Sequence, residues 1–151
     1  MRDWQDRLSE AGYRVTSSRR AVMDVLQGAA VALSPQEILS RGREIRPELG
    51  LVTVYRTLDV FAELDLVRRV HCEDGCHAYV VASPGHRHVL VCRRCGRTRE
   101  FPGSEDLKDL IDRVRQRTGF WVDDHLLQLE GICPDCQETD APLQGPDRTE
   151  A

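Results

Sequence analysis

Two cysteine pairs, Cys92-Arg93-Arg94-Cys95-Gly96 and Cys133-Pro134-Asp135-Cys136, carry the clearest chemistry in this chain of 151 residues. Zinc takes four thiolates in a tetrahedron, and a two-residue gap lets the backbone turn both sulfurs of a pair toward one ion. Complete ligation leaves no position for water, so such a zinc is structural and adds folding free energy to a small domain. The competing reading is a redox dithiol. That chemistry needs a single pair at a helix start, whereas this chain duplicates the pair and follows Cys95 with Gly96.

All five histidines fall into two further groups. Strand alternation projects His86 and His88 to one side, and His125 lies on the approach to Cys133, so closing the clamp brings it near them. Glu105, Asp106 or Asp109, at the start of an intervening helix, can add oxygen to make an N/O site for a divalent metal. The second group is His71, Cys76 and His77 around a turn, with Glu100 from further along. An ion held there would bridge two domains and fix their relative angle. Solvated strand-end histidines and a free thiol remain the bland alternatives, and Cys72 is unassigned.

Helical spacing positions the first half. Trp4, Leu8 and Ala11 share one side of a short helix, and Ala21, Val22, Val25, Leu26 and Ala29 form the stripe of a second, with Ser18 as its cap. Ser34, Pro35 and Glu37 spell a capping box with proline in the first turn, opening a third helix that Pro47 and Gly50 end. A fourth, from near Thr53, lines up Val54, Thr57, Leu58, Phe61 and Leu64. The period then changes: 66–71 and 77–81 are strands around Glu73-Asp74-Gly75. Helices ending in a hairpin describe a winged helix-turn-helix.

In the second half, 88–91 and 97–101 are expected strands on either side of the first cysteine turn. Leu107, Leu110, Ile111 and Val114 mark a helix ended by Gly119, and 120–122 and 126–129 are two more expected strands. The fold class is therefore α+β: a winged helix over 1–82, a hinge at 83–87, a small α/β metal-binding domain over 88–139, and a polar tail at 140–151.

The net charge of -4 divides unevenly: residues 1–70 hold 11 basic and 10 acidic side chains, residues 71–151 hold 10 and 15. The first half stays available to a phosphate backbone, and 20 of the 21 basic residues are arginines, which bind phosphate bidentately. Thr53, Tyr55 and Arg56 lie off the fourth helix's apolar stripe, where a helix in the major groove reads bases. Arg14, Arg19, Arg20 and the wing residues Arg68 and Arg69 can add phosphate contacts. An ordinary solvent-facing helix in a non-DNA interaction module is the alternative. No nucleophile-base arrangement or phosphate-cradling loop points to an enzyme; a metallohydrolase at His86, His88 and His125 would need an open metal position and a concave substrate site. The charged start and lack of a long apolar run point to the cytoplasm, with no membrane partner and no small organic substrate.

Over residues 8–137 the chain resembles the ferric uptake regulator family, on Arg14-Val15-Thr16-Ser17-Ser18-Arg19, Thr53-Val54-Tyr55-Arg56-Thr57-Leu58, the stretch from His86 to Cys92, and both cysteine pairs. The resemblance implies a homodimer built through the C-terminal domains, metal-dependent binding to palindromic operator DNA, and repression by the metal-loaded protein. It also implies structural zinc on Cys92, Cys95, Cys133 and Cys136, a dimerisation-domain metal site at His86, His88 and His125, and a sensory inter-domain carboxylate at Glu100. Three usual sensory positions depart from the pattern, being Ala32, Val89 and Arg68 here. The wing insertion His71 to His77, with Cys76 as a soft ligand, is the expected replacement. The expectation is a zinc-uptake regulator variant with Zn2+ as the regulatory ion, the alternatives being Fe2+ or Mn2+ sensing or peroxide sensing.

Overall fold

The computed structural model describes residues 4–71, 76–103 and 107–138. Four helices come first: α1 (Trp4–Glu10), α2 (Ser17–Gln27), α3 (Pro35–Ile45) and α4 (Leu51–Glu63). Their apolar stripes meet in one core containing Leu8, Val22, Leu26, Ile38, Val54, Leu58 and Phe61, with Trp4 edge-on to the Phe61 ring. Each fully buried side chain of this size contributes about 1.5–3 kcal/mol. The hairpin β1 (Val67–His71) and β2 (His77–Val81) closes the core with Val67 and Tyr79, pairing Val67 opposite Val81 and His71 opposite His77. A backbone bridge between Leu33 and Tyr79 adds a third extended segment to this wing. The N-terminal region is a winged helix-turn-helix.

The capping box of α3 forms as expected: Ser34 Oγ accepts from the Glu37 amide, and Glu37 Oε2 accepts from the Ser34 amide at 2.8 Å. Two helix starts lie earlier than expected. Thr16, not Ser18, caps α2 by accepting from the Arg19 amide, and α4 starts at Leu51, with Gly50 as its cap.

The C-terminal region is a β-rich unit, a three-stranded sheet in the order β4 (Thr98–Pro102), β3 (Arg87–Cys92), β5 (Gln128–Gly131). β3 pairs antiparallel with β4 and parallel with β5. Helix α5 (Lys108–Thr118) ends at Gly119, whose φ of 73° favours glycine, and α6 (Pro134–Glu138) carries the last cysteine. The strand expected over 120–122 does not form, and the last strand starts at Gln128, not Leu126. Phe120, Trp121 and Leu126 are 74%, 84% and 87% exposed, so their apolar spacing marks an uncovered surface, not a strand paired within this chain. Among the described residues, α5 buries no side chain fully.

The wing lies against the second sheet. Val70 and Val80 pack on Val89, with Ala32 and Val91 at the edge, and a backbone bridge joins Val31 to Arg97. The Gln128 side chain also exchanges two hydrogen bonds of 2.8 Å with the backbone of His71.

Candidate metal centres and nucleic-acid interface

Cys92 ends β3, Cys95 sits in the turn that follows, Cys133 lies between β5 and α6, and Cys136 is inside α6. The parallel pairing of Cys92 with Gly131 brings the two pairs together. All four sulfurs lie within 4.8 Å of one another, and Cys95 Sγ to Cys133 Sγ is 3.7 Å. Zinc–sulfur bonds of about 2.3 Å require a tetrahedron edge of about 3.8 Å, so the spacing fits zinc. Burial pushes the Cys92 thiol up, but backbone amides of Cys133, Cys95 and Arg94 overcome it and bring the thiol down to about 6. The hydrogen bond to Cys133, followed by burial, pushes Cys136 up to about 12. Four adjacent sulfurs cannot all hold negative charge unaided, and a divalent cation is the partner that lets them. The geometry and donor set are those of a structural metal site with four cysteine ligands.

His86, His88 and His125 also converge within 4.8 Å. His86 Nε2 lies 2.9 Å from His125 Nε2, and the His88 ring lies 4.9 Å and 5.3 Å from the other two ring centres. His86 is pressed against Gly103, whose amide donates to the His86 carbonyl at 2.9 Å. A Cβ on Gly103 would fall 2.0 Å from the imidazole carbon Cδ2, so any larger residue would displace the ring. His88 is only 4% exposed, and its Nε2 is a buried polar atom with no hydrogen-bond partner. Burial first, then the charges of His86, His125 and Arg68, hold the His88 pKa below its ordinary value and favour the neutral, ligating form. A buried imidazole with an unpartnered ring nitrogen, set beside two more imidazoles, fits a divalent ion that accepts nitrogen ligands. Asp109 is exposed on α5 outside this group, and Glu105 and Asp106 lie outside the described residues.

The other expected group does not assemble. His71 and His77 face each other across the hairpin with ring centres 5.6 Å apart, and Cys76 is an exposed free thiol beside them. Cys72 and the 73–75 turn lie outside the described residues. Glu100 is engaged elsewhere: Oε1 accepts from Arg68 Nε at 2.8 Å and Oε2 from the Ser83 amide at 2.9 Å. Arg68, expected on phosphate, is ion-paired with this carboxylate in the structure.

Along α4, Val54, Thr57, Leu58 and Phe61 are buried while Thr53, Tyr55 and Arg56 are exposed, which frees one helix face for a groove. Arg14 and Arg20 are exposed near the start of α2. Arg19 is half-buried, donating to the Arg14 carbonyl at 2.6 Å and lying over the Tyr13 ring. Arg69 is exposed on the wing beside Tyr79. No helix among the described residues is long and apolar enough to cross a membrane.

Comparison with known proteins agrees with this architecture. The Ferric uptake regulator family profile matches residues 10–130. The ferric uptake regulation protein of Neisseria meningitidis is 31% identical over 131 residues, covering 86% of this chain and 90% of that protein. Its counterpart in Bacillus subtilis is 34% identical over 134 residues, covering 85% and 89%. A solved zinc uptake regulator complexed with zinc and DNA superimposes with a TM-score of 0.75 at 26% identity, covering 89% of this chain and 91% of that one. The chain belongs to the ferric uptake regulator family. It is therefore a metal-dependent, DNA-binding transcriptional regulator and not an enzyme.

Proposed function

We propose that the chain is a zinc-responsive repressor of zinc uptake that binds palindromic operator DNA as a homodimer. The observation that carries the metal assignment is the convergence of His86, His88 and His125, with His88 buried and its Nε2 unpartnered. Three imidazoles without a described carboxylate form a nitrogen donor set, which suits zinc better than the oxygen-rich sites that hold manganese. The likeness to the zinc- and DNA-bound regulator supports the same reading. His86, His88 and His125 would hold the ion, whose coordinate bonds would join the start of β3 to the segment before β5.

The chain's own residues supply the remainder. The exposed face of α4 presents Arg56 to base edges, with Thr53 and Tyr55 beside it. Arg14, Arg20 and Arg69 supply phosphate contacts that set the register. The uncovered Phe120, Trp121 and Leu126, together with exposed Leu110 and Val114 on α5, provide an apolar surface for a second copy.

The test is operator affinity at buffered free zinc, ferrous iron and manganese, with the zinc of the cysteine clamp retained. Zinc is expected to raise affinity at the lowest free concentration. A response to iron or manganese without one to zinc would refute the metal assignment. Arg56→Ala is expected to weaken specific binding by roughly tenfold to a hundredfold, and unchanged sequence preference would remove its assigned role.

A further inference from the structure

The wing and the second unit meet at a point where a cation is already built into the chain. Arg68, on β1, reaches Glu100, on β4, at 2.8 Å, with side chains 25% and 12% exposed. Its Nη2 also donates to the carbonyls of Gly85 at 3.0 Å and Ser83 at 3.4 Å. Glu100 completes the loop by accepting from the Ser83 amide at 2.9 Å. One guanidinium thus gathers a carboxylate from the second unit and two carbonyls from the linker. A divalent ion at a domain boundary would seek the same oxygen set, but the position is filled by a permanent charge with a fixed fork of donors.

The surroundings reinforce this. The contact beside the ion pair is made by Val70, Val80, Val89, Val91 and Ala32, none of which has a side-chain donor for a metal. The described His71, Cys76 and His77 do not gather with Glu100 into a ligand group. The described residues at this hinge therefore do not fit an inter-domain metal.

We infer that Arg68 is a positioning residue that replaces a hinge metal, holding the DNA-binding unit against the second unit whether or not an exchangeable ion is present. The Arg68–Glu100 pair carries the charge, and the Gln128 side chain fastens the far end of β1 through the His71 backbone. The linker carbonyl of Gly85, held by Arg68, immediately precedes His86. One cleft is lined by Arg68, Gly85, His86 and His125. If the three-histidine reading above holds, ion loading acts on a hinge that is already closed and adjusts it through this linker. The closure itself does not depend on that reading.

Two amides report closure directly. The His71 amide is held by Gln128 across the boundary, and the linker amide of Ser83 is held by Glu100 of the second unit. Hydrogen exchange is measured on the full chain with the clamp zinc in place and exchangeable metal chelated. Wild type is expected to protect both amides, with little change on adding zinc. Arg68→Met and Glu100→Ala are each expected to speed exchange at His71 by roughly tenfold, while amides within the β1–β2 ladder stay protected. The pair Arg68→Glu with Glu100→Arg is expected to recover protection at His71, which touches neither residue. The inference is overturned if wild type gains protection only with zinc, if Arg68→Met leaves both amides protected, or if the swapped pair exchanges as fast as either single variant. Failure of the three-histidine reading would show separately, as loss of the zinc response in operator binding with these amides still protected.

Discussion

The two halves of this molecule are held together by different physics. In the first, helix stripes and the wing bury Leu8, Leu26, Ile38, Leu58, Phe61 and Leu66 almost completely in a shared core. In the second, β3 supplies the buried His88, Val89 and Cys92, while α5 buries nothing fully and Phe120, Trp121 and Leu126 face outward. A unit with so little apolar burial must obtain its stability elsewhere. The structure offers two such sources, the four-cysteine metal site and the apolar contact with the wing. On the proposed function, the first unit would hold its shape by packing while the second responds to what it binds.

The comparison breaks most completely at the clamp. Structural zinc is worth about 10–16 kcal/mol in small domains, so Cys133→Ser is expected to unfold the second unit while the α1–α4 core keeps its fold. Two-dimensional NMR would show selective loss of signals from 87–138, and uniform loss across the chain would contradict the division. Next is the core itself: Phe61→Ala is expected to cost about 3–5 kcal/mol in denaturant melts with the clamp metal retained. Third, Trp121→Ser with Leu126→Ser is expected to weaken the dimer by about 2–4 kcal/mol without lowering the metal content, as read by sedimentation equilibrium. The smallest effect is Ser34→Ala, which removes one half of the α3 capping box and is expected to cost about 1 kcal/mol of first-unit stability.

Local rules made much of this legible from sequence. Two-residue cysteine gaps encode a shared ion, Ser34 and Glu37 encode a helix start, and the stripe from Val54 to Phe61 separates the buried and exposed faces of α4. Strand alternation anticipates that His86 and His88 meet, although His86 lies in the bend just before β3 and only the fold shows that His88 is the buried, unpartnered member. What stayed hidden depends on partners distant in sequence. Phe120-Trp121-Val122 has strand composition but, among the described residues, no neighbouring strand to pair with. Arg68 reads as a phosphate contact, and nothing local announces the ion pair it makes with Glu100, 32 positions away. Period reports which way a side chain points, but not what meets it there.

The central claim is that the exchangeable ion is sensed at His86, His88 and His125 and not at the wing. The direct measurement is operator affinity across buffered free zinc for wild type, for His88→Ala with His125→Ala, and for His71→Ala with Cys76→Ser, all with one clamp zinc per protomer. Wild type and the wing variant are expected to gain affinity with zinc, within the about 5- to 150-fold range of typical allosteric coupling, and the histidine variant to gain none. A histidine variant that responds like wild type, or a wing variant that has lost its response, would contradict the account.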